Sequence, residues 1–133
     1  MRRSHTISLS IACPCDEAYA YLAKPANFEA WTAVKVGSFR PLPNGDWEGE
    51  TQFGFRHFRL TAPNAFGVLD HAIFEPGGEV RFNPMRVTPN DEGTDLTFIF
   101  FKRPGRTDAE FASAIEWVTT DLLTLMSILE ARG

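Results

Sequence analysis

The chain has 133 residues, a formal net charge of −4 and an apolar fraction of 44%, which fit one globular domain with a core of its own. Its cationic residues form no stripe, which argues against a nucleic-acid-binding surface. No run approaches the roughly 18 apolar residues of a membrane span, and no apolar run follows the first arginines. We therefore expect neither an integral membrane helix nor a secretory signal.

The two cysteines predict a protein of a reducing compartment. Only Pro14 separates Cys13 from Cys15, and ordinary disulfide geometry does not accommodate that spacing. No second ligand pair follows at a spacing suited to zinc, and no phosphate loop or dinucleotide fingerprint is present. We therefore expect reduced thiols, a cytoplasmic protein, no metal and no fixed cofactor.

The first part of the chain predicts one strand and two short helices. Residues Ser4–Ile11 alternate between polar and apolar side chains, as in a half-buried strand. Pro14 suits the first turn of a helix, and Pro25 disfavours its continuation. A second short helix over residues 26–32 would then carry Trp31.

Six short strand-like runs follow. They alternate or are mostly apolar, and turn signals such as Asn44-Gly45 and Pro76-Gly77-Gly78 separate them. Evenly spaced short strands of this kind predict an antiparallel meander. The runs span residues 36–42, 47–53, 55–61, 66–74, 79–87 and 95–102.

The last part of the chain predicts one long helix. Thr107 and Glu110 have the spacing of a capping box, and the helix should run over residues 108–131. Apolar side chains then recur at intervals of three and four, which is the pattern of one buried helix face. This stripe consists of Phe111, Ile115, Val118, Leu122, Leu125 and Leu129.

The order of these elements predicts an α+β fold. A lone C-terminal helix must bury its stripe, and a strongly twisted sheet can curl round it. We therefore expect a single domain over residues 1–133, in which a seven-stranded antiparallel curved sheet wraps around the long helix. The two short helices after the first strand would seal one end. A gap between sheet and helix is the natural place for a small apolar ligand.

Several segments carry a resemblance to a known family. They are Ala12-Cys13-Pro14, residues 25–31, Leu69-Asp70-His71, Pro84-Met85-Arg86-Val87 and the terminal helix. In these the chain resembles the START-like superfamily, also labelled SRPBCC or polyketide cyclase/dehydrase, over nearly its whole length. The resemblance implies a helix-grip fold. The Leu-Asp-His and Pro-Met-Arg-Val segments resemble a narrower bacterial branch without an assigned reaction.

The superfamily leaves the function open, because it includes lipid carriers, aromatic polyketide cyclases, hormone receptors and chaperone activators. We rank first the binding of a hydrophobic or amphipathic small molecule, such as a lipid, a fatty acid or an aromatic metabolite. The first alternative is a cyclase or dehydratase that uses His71 and Arg86 in the same cavity. The second is a protein-interaction module. We expect a monomer or a homodimer.

His71, Arg86 and Asp70 are the candidates for chemistry. An imidazole in an apolar cleft can act as a general base or acid near neutral pH, and an arginine can bind a carboxylate or enolate. Strand neighbours point to opposite faces, so Asp70 and His71 cannot both enter the cavity in a regular strand. The pattern does not decide between them. The structural alternatives are a hydrogen-bonded His71 and an Arg86–Asp70 ion pair that fixes the strand register.

The candidates for ligand contact are mostly aromatic and apolar. Trp31 lies where the second short helix should cap the cavity, and it could contact a ligand or simply fill the core. Asp121 adjoins the apolar stripe of the long helix, where an acid could orient a ligand or simply be solvated. The predicted ligand-binding set is Trp31, Phe53, His71, Arg86, Phe98, Trp117, Val118, Asp121 and Leu122.

Overall fold

A computed structural model describes residues 1–132, and Gly133, the last residue of the predicted domain, lies outside the described residues. The helices are α1 (Cys15–Leu22), α2 (Phe28–Trp31) and α3 (Asp108–Arg132), and a 3-10 turn (Pro25–Asn27) precedes α2. The strands are β1 (Ser4–Ile11), β2 (Arg40–Pro41), β3 (Trp47–Thr51), β4 (Gly54–Leu60), β5 (His71–Phe74), β6 (Met85–Asn90) and β7 (Gly93–Phe101).

The described strands form two antiparallel sheets, in the orders β1-β7-β6 and β2-β3-β4-β5. Two isolated bridges, Val68 with Arg86 and His71 with Asn83, join the β5 edge of one sheet to the β6 edge of the other. We call this junction the seam. The single sheet of seven strands expected from the sequence is therefore divided at the seam into sheets of four and three strands.

Two strands have less than half of their predicted length, because a glycine turns the backbone of one and a side chain binds the backbone before the other. The run over residues 36–42 is a strand only at Arg40–Pro41, since Gly37 has a φ of 87° and turns the chain. In the run over residues 66–74, the strand begins only at His71. There the Asn64 Oδ1 accepts hydrogen bonds from the backbone N–H groups of Phe66 and Val68.

The strand predicted over residues 79–87 begins later in the chain than expected, and the structure has it at Met85–Asn90. Pro84 lacks a backbone donor and precedes the strand, whereas Pro89 lies within it at the sheet edge formed by β6. The following turn has Asp91 at a φ of 50°. The polar signals at residues 89–93 therefore mark a tight hairpin rather than a loop of five residues.

Helix α3 begins with the predicted capping box. The Glu110 N–H donates to the Thr107 Oγ1 at 3.1 Å, and the Thr107 N–H donates to the Glu110 Oε1 at 2.9 Å. Within the predicted stripe, Ile115 and Val118 are half-buried. The other four side chains are buried, namely Phe111, Leu122, Leu125 and Leu129.

Helix α3 contacts both sheets. The Phe111 ring stacks on Phe100 of β7, with ring centroids 5.8 Å apart. The Trp117 ring stacks on Phe53, which lies in the turn between β3 and β4, also at 5.8 Å. The Ala12 N–H, just after β1, also donates to the Glu130 carboxylate at 2.9 Å, so α3 follows the three-stranded sheet from its start to near its end.

By length and composition alone, α3 could cross a membrane, with a mean hydropathy of 1.2 over its most apolar window. This is weak support for a membrane span, because core helices of folded domains meet the same criterion. In the structure, the apolar stripe carries Leu122, Leu125 and Leu129 into the core.

Candidate functional site

A small cavity lies where the end of α1, the 3-10 turn and α2 cover the seam. Its volume is about 20 Å³, enough for one water molecule and far below the roughly 300 Å³ of ordinary ligand pockets. No residue of α3 lines it, so its position differs from the gap predicted between sheet and long helix. The lining residues are Leu22, Ala23, Phe28, Trp31, Leu60, Thr61, Leu69, His71 and Met85.

His71 supplies the imidazole of this cavity. It is the first residue of β5, only 5% of its surface is exposed, and its ring points to the inner side of the sheet. The ring packs edge-on against Phe28, with centroids 5.3 Å apart, and at a tilt against Phe98 at 5.7 Å. The question that the sequence left open is thus answered: of Asp70 and His71, it is His71 that faces inward.

The His71 ring has a defined hydrogen-bonding state. Its Nδ1 lies 3.1 Å from the Leu69 carbonyl oxygen, which can only accept, so Nδ1 carries the hydrogen. Burial lowers the pKa of the imidazole, while the hydrogen bond to Leu69 and the charge of Asp70 oppose that shift without cancelling it. At neutral pH the ring is therefore neutral, and Nε2 holds a free lone pair.

Nε2 is an unused polar atom of the cavity. Among residues 1–132, the only hydrogen bond of the His71 side chain runs through Nδ1. No fully enclosed side-chain nitrogen or oxygen within the same residues lacks a partner. Nε2 must therefore reach open space, and the cavity is open space that His71 lines. A hydrogen-bond acceptor without a protein partner thus stands among apolar side chains.

Asp70 and Arg86 lie on the opposite face of the sheet. The Asp70 carboxylate accepts hydrogen bonds from the Arg86 Nε and Nη2, both at 2.9 Å, and from the Met85 N–H at 2.8 Å. These bonds, led by those from Arg86, hold the pKa of Asp70 below its usual range. The Arg86 side chain is half exposed. The structure therefore does not bring Arg86 into the cavity with His71, because Arg86 is bound to Asp70 across the seam.

Several solved structures resemble this chain in fold at low sequence identity. No family model and no curated protein matches the sequence. Among solved structures, an uncharacterized protein from Bacillus thuringiensis has a TM-score of 0.75 at 12% identity, covering 96% of this chain and 98% of its own. A START superfamily protein from Mycobacterium smegmatis has a TM-score of 0.73 at 11% identity, covering 98% of this chain and 99% of its own.

The chain has the START-like fold. A third similar structure is the Aha1 dimer from Colwellia psychrerythraea, with a TM-score of 0.72 at 14% identity and 96% coverage of both chains. Identities this low show the fold alone. The resemblance inferred from the sequence is thereby confirmed at the level of the fold.

The START-like fold brings only part of the predicted ligand-binding set to the cavity. Trp31 and His71 line it, and Phe98 supports the His71 ring from behind. Leu122 is part of the general core. Phe53 and Trp117 were expected in the cavity, but they stack on each other at the surface, where 69% and 43% of their surfaces are exposed. They lie there because the β3–β4 turn carries Phe53 out over the helix.

Asp121 and Val118 are half-buried on α3, away from the cavity lining. Burial raises the pKa of Asp121 to about 6. Desolvation is the whole cause of this shift, so neither a cation nor a hydrogen bond compensates for the lost water. Asp121 therefore exchanges a proton near neutral pH, and a role in orienting a ligand remains a proposal.

Three important lining residues were not predicted from the sequence. Phe28 is central, since its ring lies within 6 Å of several neighbours, including Trp31 at 4.9 Å and His71 at 5.3 Å. Its spacing of three from Trp31 is a helical pairing that could have indicated it. Leu69 shares a strand face with His71 by simple alternation. Met85 joins them only through the seam, where the Leu69 N–H donates to the Met85 carbonyl at 2.8 Å, and no local pattern indicates that contact.

Proposed function

We propose that the protein binds a small, largely apolar molecule bearing a hydroxyl group, in an expanded form of the cavity beside His71. The observation that carries this proposal is the free Nε2 of a neutral imidazole within a lining of Phe28, Trp31, Leu69 and other apolar side chains. Affinity would come from burial of apolar surface, at roughly 25 cal/mol per Å². Nε2 would fix the orientation.

The chemistry of Nε2 narrows the class of ligand. Because Nδ1–H is committed to Leu69, Nε2 can only accept a hydrogen bond while the ring stays neutral. An alcohol or a phenol supplies the matching donor. A fatty-acid carboxylate does not, and its charge would have no cation here, because Arg86 is paired with Asp70 on the other face. Within the class of hydrophobic and amphipathic ligands, we therefore favour neutral hydroxylated molecules.

The ligand must enlarge the cavity, since about 20 Å³ holds only a water molecule. We place the opening at the short segment that carries Phe28 and Trp31, because α2 has only four residues and follows a 3-10 turn. Outward movement of these two rings would open space directly over His71. The part of the cavity wall that belongs to β4, β5 and β6 would stay in place.

Two kinds of experiment test the proposal. Native mass spectrometry of protein purified from its host would identify a ligand that stays bound. Calorimetry would compare para-cresol with para-xylene, which has nearly the same shape but no hydroxyl group, and decanol would serve as the lipid-like probe. One added hydrogen bond predicts that para-cresol binds about two- to tenfold more tightly than para-xylene.

Variants distinguish the contribution of the hydrogen bond to His71 from that of the cavity volume. His71→Phe keeps a ring of similar size, so it should remove the preference for para-cresol while para-xylene still binds. Ala23→Leu adds bulk at the cavity lining and should weaken every probe, whereas Ala26→Leu, at an exposed position in the adjacent 3-10 turn, should leave binding unchanged. Equal affinity of the unmodified protein for both aromatic probes, or no binding of any probe, would refute the proposal.

A cyclase or dehydratase reaction in the same cavity is the second candidate function. The unpartnered Nε2 favours it, since a neutral imidazole in an apolar site is a suitable general base. Arg86 cannot then stabilise an enolate in the cavity, so the catalytic group would be His71 alone. Turnover of a bound ligand that disappears in His71→Asn, with binding largely retained, would favour this candidate.

The interaction-module alternative would depend on the exposed Phe53–Trp117 stack. If this stack joined two copies, sedimentation analysis would give a homodimer that Phe53→Ser turns into a monomer.

We expect the protein to work in the cytoplasm, because Cys13 and Cys15 are both free thiols.

A further inference from the structure

A basic groove lies apart from the cavity and shares no lining residue with it. Residues 1–3, which precede β1, and residues 102–106, which connect β7 to α3, border a shallow, open space of about 410 Å³. Its cationic lining residues are Arg2, Arg3, Lys102, Arg103 and Arg106. We call this surface the basic groove. It is notable in a protein whose formal net charge is −4.

The basic groove is not neutralised by the surrounding carboxylates. Arg3 and Lys102 share a single partner, Asp108, at 2.8 Å and 2.7 Å, and Arg106 faces Glu110 at 3.4 Å. Five cations against two carboxylates leave an excess of three positive charges. Because the whole chain is acidic, this concentration of positive charge distinguishes the groove from the rest of the surface.

Two arginines of the groove have no carboxylate partner among residues 1–132. The Arg2 guanidinium lies over the ring of Phe101, at 4.9 Å from its centroid. Arg103 is half-buried and donates from Nη2 to the Ile73 carbonyl oxygen at 2.8 Å. Burial lowers the pKa of Arg103, and the nearby cations Arg106, Arg81 and Arg56 lower it further, while the carboxylate of Glu75 opposes the shift without cancelling it. A bound anion would reduce the electrostatic repulsion between this half-buried cation and its neighbours.

We propose that the basic groove binds a phosphate ester or pyrophosphate group. A multiply charged phosphate group matches three uncompensated cations better than a single carboxylate does. Arginine side chains donate in pairs to phosphate oxygens, and Phe101 and Ile73 position two of the guanidinium groups beforehand. The first turn of α3 is not the source of attraction, since its capping box already occupies amide groups there.

The test uses a matched pair of double variants. Arg2→Gln with Arg106→Gln removes one arginine over an aromatic ring and one arginine in an ion pair. Arg40→Gln with Arg132→Gln removes the same two kinds of arginine elsewhere, since Arg132 lies over Tyr21 and Arg40 pairs with Glu48. Both doubles change the net charge equally. Arg103→Lys keeps the charge but removes the guanidinium, and circular dichroism would verify that each variant folds.

Calorimetry at low salt would measure binding of potassium pyrophosphate, and sedimentation would measure binding to phosphatidylcholine vesicles with and without phosphatidic acid. The groove double and Arg103→Lys should each weaken binding by about tenfold or more, while the control double changes it less than about twofold. Binding of pyrophosphate assigns the site to a soluble phosphate compound, and binding of phosphatidic acid vesicles alone assigns it to a lipid headgroup. Equal losses in both doubles, or no binding of either probe, would overturn the proposal.

Discussion

Asp121 gives the sharpest test of how α3 is buried. Its carboxyl group has a pKa of about 6 in the folded protein against an ordinary value of 3.8, and desolvation causes the shift. An acid whose pKa is raised by folding stabilises the folded state only while it stays protonated. That contribution is complete below pH 3.8, is lost as the pH rises towards 6, and does not change further above that.

The magnitude follows from the size of the shift. Two pKa units at 1.36 kcal/mol each give an upper limit of about 3 kcal/mol. Asp121 is only half-buried, and the water that still reaches it screens the charge, so we expect about 1–2 kcal/mol. Asp121→Asn cannot ionise and should therefore be more stable than the unmodified protein by that amount at neutral pH.

Urea unfolding followed by tryptophan fluorescence measures the free energy of unfolding. The advantage of Asp121→Asn should grow from a few tenths of a kcal/mol at about pH 4 to about 1–2 kcal/mol at about pH 7. Other titrating groups cancel when the two proteins are compared at the same pH. Glu116→Gln, at an exposed position on α3, should change the free energy by less than about 0.5 kcal/mol. An Asp121→Asn protein of equal or lower stability at neutral pH would refute the reasoning.

Three further predictions concern the framework. Leu125→Ala should lower the free energy of unfolding by about 2–5 kcal/mol because Leu125 is fully buried, whereas Leu123→Ala, which is 44% exposed, should cost less than about 1 kcal/mol in the same urea titration. Thr107→Ala should cost about 1 kcal/mol and lower the midpoint of thermal unfolding, and an unchanged midpoint would mean that the capping box adds nothing. Folding lowers the pKa of Asp70, so Arg86→Gln should destabilise the protein above the ordinary aspartate pKa and lose this effect as the pH falls below it. A destabilisation that persists in strong acid would contradict the last prediction.

The elements with a strong local pattern could be predicted from the sequence. Helix α3 has its capping box and its apolar stripe within one segment, and β1 alternates strictly, so neither depends on distant residues. The strands predicted over residues 66–74 and 79–87 are longer than β5 and β6 and begin earlier in the chain. Their backbone is bound by the Asn64 side chain or interrupted by Pro84, and apolar composition does not reveal such contacts.

The candidate site could be predicted only in part. His71 was selected from its chemistry, but its direction was not readable, because the opposite face of β5 also buries its side chains, among them Ala72 and Phe74. The cavity depends on the seam, which brings Leu69, just before β5, to Met85, the first residue of β6. The basic groove was missed for the same reason, since its two cationic segments lie about a hundred residues apart in the chain.

Histidine nitrogen spectroscopy reports most directly on the imidazole that the proposed binding depends on. A long-range proton–nitrogen NMR spectrum should show His71 as the neutral ring with hydrogen on Nδ1 down to a pH below the ordinary histidine pKa. Para-cresol should shift the Nε2 resonance, and para-xylene should leave it nearly unmoved. A ring that carries its hydrogen on Nε2, titrates like an exposed histidine or responds equally to both compounds would contradict the account.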